Sequence, residues 1–473
     1  MKITEIVNVS VGLSAVPPSQ VSYGVPLLLV DSTDIPIDRR YVVETRSSYA
    51  DELTEDSDAY NWCVALWSQN YNPSEAYIGR WISAATASYC YCPSATSVAA
   101  TYAALAATAK VGIKEGAAAA VDISPDFSGD TTMADVAASL EAAMTGAVAG
   151  YTVSWDSVRS RMVFTSDNTG ASADAVTLET PATGVDLTGT AYLGAEVSVA
   201  GYDAETLGAA ASAVFELDNT PFIVCERGAD TAQQVALSTS INALDKVLYL
   251  VTNDANTKSA GSTTDAAYQI KALSHQKTWM VYTEHTTQSP DAAIIGEVNA
   301  RADSEGAISL AFNGLSGISE SGLDGDGVTV KPLSPTERAA LEAKGCDYLI
   351  SPAGIVHARN GLAVGGNEMR VMIGKSYFAA KVTEDVYTYM LQNEVVTFSD
   401  PDIQAIKGIN TKWAEVMADR GLLDANTFVF DYPAASEFTS AQKASHTMTI
   451  SDVFNADVLS AVNDFVFTMA FTI

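Results

Sequence analysis

The sequence is short of positive charge. Its 473 residues hold 26 Lys and Arg against 57 Asp and Glu, a formal net charge of −31. Affinity for a nucleic-acid backbone comes mainly from clustered Lys and Arg, so this balance argues against direct nucleic-acid binding. It argues against an anionic membrane surface for the same reason. Long apolar runs are also missing. No stretch of 18 or more apolar residues occurs, so no membrane insertion is expected. From Met1 to Val11 polar and apolar residues alternate, and Glu5 and Asn8 break the continuous apolar centre that a secretory signal needs. Cysteine is scarce: Cys63, Cys90, Cys92, Cys225 and Cys346 are too few for a disulfide scaffold. Cys90-Tyr-Cys92 lacks the spacer of a zinc knuckle. Reduced thiols in a protein folded in a cytoplasm are the expectation.

The patterns of catalysis are missing as well. His275, His285, His357 and His446 are scattered without metal-ligand spacing. The run Phe222-Ile-Val-Cys225 leads into Glu226-Arg-Gly-Ala-Asp230, whose single glycine is not a dinucleotide fingerprint. There is no Walker A loop. Gly314-Leu-Ser-Gly317 falls one residue short of a nucleophile elbow. Asp324-Gly-Asp-Gly327 lacks the later carboxylates of a calcium loop and reads better as a solvated turn. The acidic run Asp51 to Asp58 suits a helix start, where carboxylates meet the positive end of the dipole. Trp62, Trp67 and Trp81 fit core packing better than a ligand platform. No catalytic, cofactor or metal site is expected, and the chain is not read as an enzyme.

What is present is ample apolar material, 48% of residues, with only 18% charged. Such a chain buries large cores and is not disordered. The alternation of strands and helices predicts a mixed α/β fold with several parts. Residues 1–20 read as an arm whose apolar residues include Ile3, Ile6 and Val9, closed by Pro17-Pro18. Residues 21–98 and 203–330 form a discontinuous α/β core domain, with continuous apolar runs at Val25–Val30, Pro221–Cys225, Val247–Val251 and Thr278–Tyr282. Such runs, separated by helical patterns at 204–216, 229–244 and 265–273, indicate a buried and mostly parallel sheet. Residues 99–202 are rich in Ala, Gly, Thr and Ser and read as an inserted β-rich outer domain. It holds a helix from Met133 to Met144 and a hairpin of 151–155 with 161–165 around a five-residue loop. Residues 331–461 form a C-terminal α/β subdomain. Ser334, Pro335 and Glu337 predict a capped helix ending at Gly345. Tyr348–Ile350, Ile355-Val356 and Glu368–Ile373 read as strands, and 376–396 and 402–420 as helices. Residues 462–473 read as a strand with Phe465, Phe467, Met469 and Phe471 alternating along it. An apolar strand of this kind needs a partner edge. Two such arms and no active site favour an assembly protein whose copies add strands to one another.

The segment Trp67-Ser-Gln-Asn-Tyr-Asn-Pro-Ser-Glu-Ala-Tyr-Ile-Gly-Arg-Trp81 resembles a stretch of phage tail sheath proteins. Thr152-Val-Ser-Trp-Asp156, Met162-Val-Phe-Thr-Ser166 and Asn168-Thr-Gly170 are similar to their inserted domain. The order of parts matches along essentially the whole chain. The resemblance implies the contractile tail sheath of a myovirus-type bacteriophage, a structural virion protein assembled in the host cytoplasm. Subunits of that family stack as six-fold rings around a tail tube, between baseplate and tail terminator proteins. Their contraction drives the tube through the host envelope for genome ejection. On this likeness residues 1–12 and 462–473 are inter-subunit strands, carried by Ile3, Ile6, Val9, Phe465, Phe467, Met469 and Phe471. The C-terminal helices face the tube, and 99–202 faces outward. A phage-tail-like bacteriocin or contractile injection system fits the same pattern. A surface adhesin or decoration protein is the alternative of another class. Lys407 and Lys412 either face an acidic tube or form an ordinary solvated face.

Overall fold

The computed structural model describes residues 22–32, 35, 40–93, 98–105, 108–115, 119–147, 150–157, 160–170, 176–189, 192–194, 196–301, 308–393, 396–444 and 454–459. Two compact units divide the chain. Of the described residues, the larger holds those up to Arg80 and from Leu207 onward, and the smaller those within Trp81–Thr206. Strands are numbered along the chain, so β1–β3 and β12–β18 belong to the larger unit and β4–β11 to the smaller. Helices of seven or more residues are labelled in the same way. They are α1 (Asp58–Trp67), α2 (Met133–Ala147), α3 (Leu207–Leu217), α4 (Thr231–Asn242), α5 (Ala266–Ala272), α6 (Pro290–Glu297), α7 (Pro335–Lys344), α8 (Met369–Gln392) and α9 (Asp400–Asp419). The mixed α/β class expected from the alternation is the one observed.

The larger unit is built on an eight-stranded sheet. Its strands are β1 (Ser22–Val30), β2 (Tyr41–Glu44), β3 (Ala76–Arg80), β12 (Pro221–Arg227), β13 (Val247–Thr252), β14 (Thr278–Tyr282), β15 (Asp347–Ile350) and β16 (His357–Ala358). Their order is β16-β15-β14-β13-β12-β1-β3-β2. The six inner strands are parallel, and the edges β2 and β16 are antiparallel to their neighbours. Leu27, Leu28 and Leu29 are fully buried, because a central parallel strand is covered on both faces. Helix starts follow their caps. Asp230 and Gln233 form a capping box on α4, and Ser334 and Glu337 form one on α7, with Pro335 in its first turn and Gly345 left-handed at its end. Gly296 lets α6 meet α1, since a Cβ there would collide with the Leu66 carbonyl oxygen.

Several expectations shift. Residues 369–373, read as a strand, begin helix α8. Met369, Ile373, Tyr377 and Ala380 are its buried stripe, and a six-residue window hid that period. Ile355 is exposed and follows a turn in which Ala353 has φ +57°, so the short strand β16 starts at His357 instead. Helix α6 was not expected. All its residues are buried, so it has no polar face to set a period. The border expected at 330/331 falls inside one unit, because β15 pairs with β14 in parallel through Val281–Asp347 and Tyr282–Tyr348.

The smaller unit has two antiparallel-rich sheets. One has the order β11-β4-β8-β7, from β4 (Ala87–Pro93), β7 (Tyr151–Asp156), β8 (Arg161–Thr169) and β11 (Val197–Val199). The other is built around β5 (Ala109–Glu115), with β6 (Val121–Ile123), β9 (Val176–Glu179) and β10 (Val185–Asp186). Val136, Leu140 and Met144 of α2 share a buried core with Val111, Val153 and Phe164. The expected hairpin pairs Asp156 with Arg161, which shortens its loop to residues 157–160. The unit begins at Trp81 rather than 99, because β4 pairs with β8 and β11.

Candidate assembly surfaces and the occupied crevice

The residues expected to link subunits, Ile3, Ile6, Val9, Phe465, Phe467, Met469 and Phe471, lie outside the described residues. The structure does show the ground from which both terminal segments depart. On the N-terminal side, the Ser22 amide donates to the Thr220 carbonyl at 2.9 Å. The next residue, Tyr23, is buried, with its ring against Phe222 and Tyr377. Its hydroxyl donates to the Ser376 carbonyl of α8 at 2.9 Å.

On the C-terminal side stands a separate ribbon of β17 (Val429–Phe430) and β18 (Phe454–Asn455). Among the described residues it has only these two strands. Val429 faces Asn455 and Phe430 faces Phe454. The Phe430 and Phe454 rings stack at 4.9 Å, with Phe428 edge-on to Phe454 at 5.5 Å. Phe378 of α8 stacks on Phe454 from the helix side at 5.6 Å. Beyond the ribbon the chain stays paired to the end of α9: Asp424 donates to the Asp457 carbonyl, and Leu459 to that of Leu422, both at 2.9 Å. A two-stranded ribbon is marginal in water, and Val429 is 59% exposed, so this one gains from any strand added at its edge. Sequence reading missed the ribbon. Its signal was the short aromatic run Phe428-Val-Phe430 before Asp431 and Pro433.

The place where an open parallel sheet usually holds a ligand is the carboxyl end at its switch point. Here that point lies between β1 and β12, because the chain runs from β1 toward β3 on one side and from β12 toward β15 on the other. Side chains of the protein itself occupy it. Arg227, at the end of β12, pairs with the buried Asp291 of α6. The other Asp291 oxygen accepts from Trp62 Nε1 at 3.0 Å. Glu226 accepts from Gln234 Nε2 at 2.6 Å and from the Ala229 amide at 3.0 Å. Burial pushes the Glu226 carboxyl above its ordinary pKa. These groups satisfy one another, and none of these described residues is left as a free donor for a phosphate.

The remaining candidates read as structure. Trp62, Trp67 and Trp81 are buried, and each indole N–H finds an acceptor: Asp291, the Pro73 carbonyl and the Glu205 carbonyl. All five cysteines are buried and unpaired, and burial drives the Cys92 thiol up to about 12. Buried His275 bonds Ser238 at 2.8 Å, His285 meets the Glu320 carbonyl, and His357 donates to its neighbour's carbonyl; His446 lies outside the described residues. Among the described residues no group of three His, Cys, Asp or Glu is placed to hold a metal. Asp326 accepts from the Val328 and Thr329 amides and the Thr329 hydroxyl, which lower its pKa to about 2 within a turn. Ser57 caps α1, with Asp58 in its first turn. Lys412 pairs with Asp385 at 2.8 Å.

No protein-family model and no curated protein matches the chain. By structure it is similar to a chain of the anti-feeding prophage baseplate, seen by six-fold symmetrised cryo-electron microscopy. That match has a TM-score of 0.41 and 12% identity over 58% of this chain and 76% of the other. It is also similar to the sheath tail protein from Listeria innocua, with a TM-score of 0.44 and 10% identity over 85% of this chain and 87% of that one.

Proposed function

We propose that this chain is the subunit of a contractile tail sheath. Copies polymerise as stacked six-fold rings around a tail tube, between a baseplate and a terminator. Contraction of the array drives the tube through an envelope. The observation that carries this reading is the ribbon β17–β18. Among the described residues it is a sheet of two strands with an aromatic base, and six residues separate Asn455 from the segment 462–473, which is patterned as a further strand. Residues 462–473 of one copy and 1–12 of another add to that ribbon in a neighbour, with Phe465, Phe467, Met469 and Phe471 on one face and Ile3, Ile6 and Val9 contributing from the other arm. The link is heterologous, so it propagates instead of closing between two copies. The C-terminal helices face the tube, and the Trp81–Thr206 unit faces outward. The filled crevice suits a role as rigid body better than one as enzyme.

Negative-stain microscopy of the purified protein tests the reading, with striated hollow tubes as the expected result. Deleting residues 464–473 is expected to leave a folded, soluble subunit that makes no tubes. Normal tubes from that truncation sink the arm assignment. A phage tail, a bacteriocin and an injection system share this architecture, and genome context separates them. The adhesin reading draws on the separate core of the Trp81–Thr206 unit. Binding of that isolated unit to cells or glycans, without tubes from the whole chain, would favour it.

A further inference from the structure

Both terminal segments are rooted on one helix. On the N-terminal side Tyr23 reaches α8 through the Ser376 carbonyl and the Tyr377 ring. On the C-terminal side the contact is Arg370, which is only 8% exposed. Its Nη2 donates to the Leu459 carbonyl, and its Nη1 donates to the Gly421 carbonyl at 3.1 Å. Glu368 holds the same guanidinium from the other side. Gly421 has φ +71°, the left-handed turn that ends α9 and carries the chain back toward α8. The loop closes the set, because the Arg420 guanidinium lies over the Tyr377 ring at 5.3 Å. Tyr23, Tyr377, Arg420, Gly421, Arg370 and Leu459 therefore form one unbroken series of contacts. Arg370 and Tyr377 are seven residues apart, which places them on one stripe of the helix, about 10 Å apart along its axis.

We infer that α8 is the strut between the two arms, with Arg370 and Tyr23 as the positioning residues that fix where each arm begins. This rests on the proposal that the terminal segments link neighbouring copies. The N-terminal root is also the start of β1, so a pull on that arm loads the central sheet directly, and α8 adds the route from there to the C-terminal root. Arginine suits the C-terminal root because its planar fork serves two carbonyl groups at once, where lysine is a point charge.

The test compares three full-length variants with the truncation of 464–473. Arg370→Met keeps side-chain bulk and loses every donor. Arg370→Lys returns charge without the fork. Tyr23→Phe keeps the ring and loses only the hydroxyl. Hydrogen exchange is read at the Asp424 and Leu459 amides and at the Ser22 amide, and tubes are counted by microscopy. Loss of charge-assisted bonds should speed exchange at Asp424 and Leu459 about tenfold or more in Arg370→Met, with Ser22 unchanged. Tube yield should fall in parallel, and Arg370→Lys should recover part of both. Tyr23→Phe should move only Ser22, so it still decides the matter if Arg370→Met does not fold. If the truncation abolishes tubes while both Arg370→Met and Tyr23→Phe assemble and exchange like the wild type, the strut is wrong and the arm reading stands. If the truncation assembles normally, the arm reading itself fails.

Discussion

Both units carry ion pairs at the surface, but among the described residues only the larger one also buries charged groups. In the larger unit, parallel strands are covered on both faces and charges are drawn inside: Arg227 with Asp291, Lys344 with Asp265, and Glu226 with Gln234. In the Trp81–Thr206 unit, antiparallel strands show one face to water, and its ion pairs stay at the surface, as Arg161 with Asp156 and Lys114 with Glu179. The difference follows from sheet type. A sheet buried on both faces must satisfy every polar group internally, whereas a half-solvated sheet leaves that task to water. The first solution ties the inside of the unit together through paired buried groups. The second makes a module whose surface changes at little cost to its fold.

The largest expected effect comes from removing the carboxylate at the crevice. Asp291→Ala leaves Arg227 buried without its partner and the Trp62 indole without an acceptor. Breaking a buried pair from one side costs about 3–5 kcal/mol. Urea unfolding should show this loss in the transition of the larger unit, with the smaller unit unmoved. Leu140→Ala is the mirror experiment. Leu140 is fully buried in the smaller core, and its truncation should cost about 2–5 kcal/mol in that unit alone. A single shared transition, shifted by either change, would show that the units do not unfold separately.

Legibility in sequence divides along the same line. The runs Val25–Val30, Val247–Val251 and Thr278–Tyr282 are continuous and apolar because both faces are buried, and each is a strand within two or three residues of its expected bounds. The caps Ser334 and Glu337 were legible because their spacing is local. In the smaller unit the strong alternation of 151–155 and 161–165 marked a hairpin. Strands β6, β9, β10 and β11 have two to four residues each, too few to show a period. Helix α6 was hidden by complete burial. The surface proposed for assembly draws on one local signal and one distant one. Alternation along 465–471 is a local signal, but the ribbon that could receive a strand joins Phe430 to Phe454, 24 positions away in sequence. Nothing local in Arg370 announces a contact with Leu459, 89 positions on.

A smaller effect separates the units by pH. Lys246 is buried, donates to the Asn219 and Pro221 carbonyls, and is held down to about 7 chiefly by burial. Its unfolded pKa is ordinary, about 10.4. Between those values the unfolded chain binds the extra proton, so this residue makes the larger unit more stable as pH rises from 7 toward 10. Lys246→Met should therefore gain most over the wild type near pH 6.5 and lose that advantage by pH 9.5. Urea melts at both values check this, and a difference independent of pH would contradict it.

The smallest effect sharpens the contrast most. Arg161 and Asp156 close the β7–β8 hairpin with a contact of 3.0 Å, and Arg161 also lies over the Tyr91 ring at 4.2 Å. The geometry is as good as that of many buried pairs. Yet both side chains keep contact with water, at 22% and 18% exposure, so desolvation is modest and removal of one partner strands no buried charge. Arg161→Ala should cost below about 1 kcal/mol, several-fold less than Asp291→Ala, and 0.5 M salt should shrink the difference further. If Arg161→Ala instead matched Asp291→Ala, burial would not be what separates the two units. The stacking of Arg161 on Tyr91 would then be the term to isolate, with Tyr91→Leu as the second arm of a double-mutant cycle.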